Sequence, residues 1–218
     1  MDVGILGGTG PAGSALAARL ASVGFGVVIG SRSVERATEA CETIVKKWPE
    51  RELSLSPGTN VDAASVDVVV VATPWDAAAD TAASVADHLA GKVVISMANA
   101  LVREGGEFRA VIPKGGSVAG AVQQAVPTAL VAAAFHHLPA RSLADISRPV
   151  HGDVLICANL AQAVETALEV TRRIPDLRGI HAGSLASAGA VEAFTAVLLE
   201  VNRRNKARAT IQLVGIGG

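Results

Sequence analysis

The sequence predicts an α/β protein. Its core is a doubly wound parallel sheet, a dinucleotide-binding (Rossmann) domain over residues 1–150, with a smaller C-terminal α/β domain over residues 151–218. Three observations carry this. Short apolar runs alternate with helical periodicity along most of the chain. The first 36 residues read as strand, glycine turn, helix, strand. Finally, Val66-Asp67-Val68-Val69-Val70-Val71-Ala72 is almost continuously apolar, as a central strand covered on both faces should be.

The opening unit fixes the expected ligand. Val3 to Leu6 runs into Gly7-Gly8-Thr9-Gly10-Pro11-Ala12-Gly13, and Leu16, Leu20 and Val23 then share one side of a helix. Gly8, Gly10 and Gly13 fit G-x-G-x-x-G between a strand and a helix. In that reading Gly8 allows the tight turn, Gly10 leaves room for a pyrophosphate, and Gly13 lets helix and strand pack closely. The helix starting near Pro11 turns its free N–H groups and positive dipole end toward the phosphates. The next strand, residues 27–29, ends in Gly30-Ser31-Arg32, with Arg36 one helical turn later. An NAD site usually carries an acidic residue about 20 positions beyond the glycines. A hydroxyl and two guanidinium groups suit a 2′-phosphate instead and leave no carboxylate to repel it, so NADP(H) is expected.

The remaining elements follow in order. Residues 34–48 read as a helix stopped by Pro49, residues 51–60 as irregular, and the apolar run ends in Thr73-Pro74-Trp75. A helix over 76–89 and a strand over 92–96 lead to Met97-Ala98-Asn99-Ala100. A loop with Gly105-Gly106 and Gly115-Gly116 precedes a helix over 117–125. The strand 129–134 opens into Phe135-His136-His137-Leu138-Pro139-Ala140. After a connection over 141–152 come a strand (153–157), a helix (160–174), a strand (178–182) and a long apolar helix (191–202). The face of that helix, Val191, Phe194, Leu198 and Val201, is more hydrophobic than a small monomer needs. It is expected to pack on the first domain or on a second subunit. Arg203, Arg204, Lys206 and Arg208 form either a solvated helix end or a patch for an anionic tail. In doubly wound sheets the ligand lies beyond the C-terminal strand ends, so these loops should line one crevice.

Composition narrows the function classes. A formal net charge of −1 argues against nucleic-acid or membrane-surface binding. No apolar segment reads as a membrane span and the N-terminus enters a strand at once, so a cytoplasmic protein is expected. Cys41 and Cys157 have no metal or disulfide spacing. His136 and His137 are weak catalytic candidates. On a strand they would point to opposite faces, one lining the crevice and one packed or solvated, and could not ligate one metal together. No metal site is expected. The crevice residues are small and apolar, which suits flat rings.

The segments GILGGTGPAGSALAARLASVG, VVIGSRSVERA, VVVVATPWDAA, AAAFHHLPA and AGSLASAGAVEAFTAVLL, in this order, resemble the F420-dependent NADP oxidoreductase family. The resemblance implies hydride transfer between NADP(H) and the deazaflavin coenzyme F420, by a homodimer whose small C-terminal domain helps close the deazaflavin site. It implies that Thr9, Gly10, Pro11 and Ala12 hold the pyrophosphate, and that Ser31, Arg32 and Arg36 hold the 2′-phosphate. Pro74, Met97-Ala98 and Ala140 would approach the nicotinamide and His137-Leu138 the deazaflavin, with Thr73 and Pro139 counted among the cofactor-binding residues. Arg36 stands where Lys is familiar, Ala186-Ser187 where Ser-Asn is common, and Met97 to Ala100 differ from some members. Both carriers are obligate hydride carriers, so the site needs only to stack them and exclude water. The proton for the deazaflavin ring comes from solvent or a crevice histidine. Two alternatives stand beside this reading: an NADP-dependent reductase of another small substrate, anchored by His136 or Arg141, and a non-enzymatic NADP(H)-sensing module.

Overall fold

The computed structural model describes residues 1–216. β1 (Asp2–Leu6) is an interior strand of an eight-stranded sheet, third from one edge. It pairs in parallel with β2 (Gly26–Ser31) on one side and β4 (Val68–Val71) on the other. β3 (Leu55–Thr59) forms one edge, while β5 (Val93–Ser96) and β8 (Leu130–Ala133) continue the parallel order beyond β4. β9 (Gly152–Ala158) then joins β8 antiparallel, and β10 (Leu177–Gly183) runs parallel to β9 at the far edge. The strands of the C-terminal segment therefore extend the same sheet.

Register explains why the central strands are apolar on both faces. Val3 faces Val27 and Val68, and Ile5 faces Ile29 and Val70. α1 (Pro11–Ser22), α2 (Val34–Lys47), α7 (Ala140–Leu143) and α8 (Ala161–Arg172) supply residues to the core on one face. α3 (Asn60–Ala64), α4 (Ala78–Ala83), α5 (Ala86–Leu89), α6 (Val118–Ala125) and the start of α9 (Ala188–Asn205) cover the other. Leu16, Leu20, Ile29 and Ile95 are fully buried. Truncating one such side chain to alanine costs about 2–5 kcal/mol.

The differences from the sequence expectation have local causes. The stretch expected to be irregular contains β3, which carries Pro57 and Gly58 and pairs only with β2, so a missing donor on its outer side breaks no ladder. The glycine loop after Ala100 is a hairpin of β6 (Leu101–Glu104) and β7 (Glu107–Ala110). Gly105 and Gly106 have φ of 57° and 84°, as a two-residue turn with left-handed central residues requires. The helix expected over 76–89 is broken into a 3₁₀ turn, Trp75–Ala77, and the short α4 and α5. α7 lies inside the expected connection. Contrary to the sequence reading, Leu185–Asn205 is long and apolar enough to cross a membrane by length and composition, although only a third of its most apolar window is buried in the protein. Within it Glu192 and Glu200 bond backbone N–H groups of Val118, Ala119 and Phe108, which fastens α9 to α6 and to the hairpin.

Candidate functional site

A cleft of about 410 Å³ opens over the C-terminal ends of β1 to β4, walled by Gly7, Thr9, Gly10, Ser31, Arg32, Ser33, Arg36, Asn60, Thr73 and Pro74. A depression of about 300 Å³ adjoins it between Pro11, Ala12, Trp75, Met97, Ala98 and Asn99. The two share Gly10, Ala72, Thr73 and Pro74 and so form one trough.

Its floor is the glycine turn. The turn conformation falls on Gly7, with φ of 68°, and not on Gly8 as the sequence reading has it. The Gly8 N–H donates to the Ile5 and Gly30 carbonyls at 3.1 and 2.9 Å, and a Cβ there would press on the Ile5 carbonyl and the Ile29 side chain. A Cβ on Gly13 would lie 2.9 Å from the Gly8 Cα, so this glycine serves helix–strand packing. Gly10 differs from both. Its φ of −73° suits any residue, and no protein atom would come within 3.6 Å of an added Cβ. Neither conformation nor packing requires glycine there, so the remaining reason is close approach of a ligand to the backbone.

At the β2 end, the buried Ser31 accepts the Ser33 N–H at 3.2 Å, which fixes the entry to α2. Ser33 caps that helix by accepting the Arg36 N–H at 3.3 Å. Arg32 and Arg36 are exposed on the cleft wall, and neither forms an ion pair among the described residues. Glu35 lies between the two arginines in sequence but is not among the residues that line the cleft. Glu35 accepts the Ser33 hydroxyl at 2.6 Å, a bond that holds its carboxyl below the usual range. Asn60 was missed because β3 was missed. Its Oδ1 accepts the Gly7 N–H at 3.3 Å and braces the turn from the start of α3, just past the end of β3. Where the two depressions meet, the buried Thr73 hydroxyl has no partner among the described residues.

The segment after β8 lies behind the trough. Phe135 takes a left-handed φ of 63°, and the chain turns before either histidine, so neither is on a strand. His136 and His137 are both buried, 4% and 3% exposed, with ring centroids 5.0 Å apart in an edge-on arrangement. The expectation of one crevice-lining and one solvated or packed ring is replaced by two packed rings. His137 Nε2 lies 2.8 Å from the Asp153 carbonyl, which can only accept, so that nitrogen carries the proton. Burial, then the neighbouring His137, push His136 down to about 3, and burial lowers His137 as well. Both rings are neutral near pH 7. Neither nitrogen of His136 has a partner among the described residues. The His136 carbonyl accepts Asn99 Nδ2 at 2.6 Å, and Asn99 Oδ1 accepts the Thr195 hydroxyl of α9 at 3.0 Å. This link between trough and C-terminal helix joins residues 96 positions apart, and no local pattern announces it. Leu138 is buried and Pro139 and Ala140 are half-buried. Residues 136–140 do not line the trough in the single chain.

A Rossmann-type sheet with a glycine turn facing a trough defines the dinucleotide-binding class of fold. Residues 2–100 match the family model described as NADP oxidoreductase coenzyme F420-dependent. The chain is 34% identical over 213 residues to the F420-dependent NADP reductase of Methanothermobacter thermautotrophicus, covering 95% of this chain and 92% of that one. It is 33% identical to the same-named protein of Methanocaldococcus jannaschii, covering 96% of each. A solved structure from Arthrobacter sp. FB24 shares the fold with a TM-score of 0.80 at 24% identity, covering 98% of this chain and 99% of that one. The chain belongs to the F420-dependent NADP oxidoreductase family.

Proposed function

We infer that the protein transfers a hydride reversibly between NADP(H) and coenzyme F420. The observation that carries this is the trough itself. It runs from unpaired cations at Arg32 and Arg36, past a glycine that only a ligand requires, to an end walled by Pro74, Met97 and Ala98. Those residues fit NADP(H): a 2′-phosphate beside the two guanidinium groups, a pyrophosphate over Thr9 to Ala12, and a polar ring substituent for the unpartnered Thr73 hydroxyl. When bound, NADPH supplies a hydride at nicotinamide C4, and the deazaflavin accepts it at C5 with a proton on the ring.

This chain's residues position the rings and keep water out. Pro74, Met97 and Ala98 form one wall of the trough; Leu138, Pro139 and Ala140 lie outside its lining in the single chain, and the proposal assigns them to closing the stacking space from the β8 side when both rings are bound. The neutral, buried histidines serve as packing at this wall, and the proton comes from solvent. Residues 151–218 act as the unit that closes the deazaflavin site. α9 presents Phe194, Val197 and Val201 to the outside, 40%, 52% and 39% exposed and spaced for one helix face. A second copy covers that face in a homodimer. The positional reading is tested by Ala140→Leu. Its added carbons enter the stacking space, where a 1 Å misplacement costs on the order of a hundredfold. Single-turnover deazaflavin reduction should slow by about that factor, while the NADPH dissociation constant stays put. A variant as fast as wild type would remove residues 138–140 from the site.

A further inference from the structure

We propose that Arg19 is a positioning residue for hydride transfer, acting through the turn that carries Ala140. Arg19 is on α1, the helix that follows the glycine turn, yet the residue is 3% exposed and is not among those that line the trough. It meets no carboxylate within salt-bridge distance among the described residues. It donates instead to three backbone carbonyls: Nε to Leu143 at 3.2 Å, and Nη2 to Ser142 at 2.9 Å and Asp145 at 2.6 Å. Ser142 and Leu143 end α7 and Asp145 lies two residues beyond; the Ser142 and Asp145 carbonyls also accept the Asp145 and Arg148 N–H groups at 3.4 and 3.3 Å, so Arg19 adds a side-chain donor to the turn that leaves α7. α7 begins at Ala140, directly after Leu138-Pro139.

The arrangement makes α1 and α7 one body. The glycine turn sits at one end of α1 and Arg19 lies eight residues on, about 12 Å along the axis at 1.5 Å per residue. The phosphate anchor and the Ala140 wall therefore share one ruler. A fork of planar donors holds three carbonyls at fixed angles, which the single ammonium of lysine cannot reproduce. Lys47 of α2 reinforces the same turn, with Nζ 3.4 Å from the Ala144 carbonyl. The inference rests on the reading that residues 138–140 border the stacked rings.

The test compares Arg19→Lys, Arg19→Ala and Ala140→Leu with wild type, with single-turnover deazaflavin reduction by NADPH and NADPH affinity measured separately. Arg19→Lys should lower the transfer rate constant about ten- to a hundredfold, the scale of a misplacement near 1 Å, with NADPH affinity changed less than about threefold. Millimolar guanidinium ion, but not methylammonium, should restore part of the rate in Arg19→Ala. Wild-type rates in both arginine variants overturn the proposal. Parallel losses of rate and NADPH affinity overturn it too, because they make Arg19 a brace for the whole fold. If Ala140→Leu is as fast as wild type, the placement of residues 138–140 falls and this inference with it. If Ala140→Leu is slow and the arginine variants are not, only this inference falls. Should the arginine variants not fold, Lys47→Met, an exposed change on the same turn, should slow transfer at least twofold at unchanged NADPH affinity, and an unchanged rate overturns the proposal.

Discussion

In the proposed function, nucleotide choice rests on single residues at the end of β2. Arg32 and Arg36 are free cations facing a cleft, and a charge-assisted hydrogen bond contributes about 1.5–3 kcal/mol, roughly ten- to a hundredfold in affinity. Arg32→Ala should raise the Michaelis constant for NADPH by about that factor and leave the constant for NADH nearly unchanged. Steady-state rates with both nucleotides decide it, and equal losses would point to the pyrophosphate or to the fold. The histidine pair makes a prediction about pH. The fold keeps His136 neutral down to about 3, whereas the unfolded chain takes up that proton near 6.5. The unfolded state binds more protons between these values, so stability is fully present above pH 6.5 and declines as pH falls toward 3. The slope reaches about 1.4 kcal/mol per pH unit for each histidine so held. Urea midpoints should fall between pH 7 and 5 in wild type and fall less in His136→Phe. Equal slopes in the two proteins would show that His136 does not titrate in this way. Turnover should persist in His136→Asn, since a ring neutral at pH 7 supplies no proton.

At the scale of elements, the parts written in local pattern were legible and the parts written in pairing were not. The apolar runs of β1, β2, β4 and β5, the glycine turn and the amphipathic α2 and α8 each announce themselves within a few residues. β3 did not, because Pro57-Gly58 reads as a loop until β2 is seen to leave it at the sheet edge. The β6–β7 hairpin did not, because its exposed strands bury no face against the sheet. In the site, Ser31, Arg32 and Arg36 follow from the strand-end rule, but Asn60 depended on β3. Asn99, Thr195 and Arg19 act through contacts that only the folded chain brings together. The apolar side of α9 was legible, and the structure leaves part of it outside. Val197→Asp should convert a dimer into monomers in sedimentation equilibrium. A wild-type chain that sediments as a monomer at micromolar concentration would contradict the second-copy reading.

At the scale of the whole molecule, one sheet joins two tasks. In the proposed function, β1 to β4 and their helices take the charged half of a dinucleotide, beside the Arg32 and Arg36 cations that line the cleft. The ends of β4 and β5 bring Pro74, Met97 and Ala98 to the other end of the trough, which the proposal assigns to ring alignment and exclusion of water. Asn99 ties the trough wall to the segment after β8 and to α9, and Arg19 ties that segment back to the phosphate helix. In the proposed mechanism such a molecule accelerates transfer by holding two carriers together, with no side chain entering the chemistry. The most direct measurement is a single turnover with NADPH deuterated on both faces of nicotinamide C4 and oxidised F420, followed by mass spectrometry of the reduced deazaflavin. Direct transfer predicts one deuterium gained per deazaflavin in ordinary water. Reduced deazaflavin without label, or no reduction at all, would contradict it.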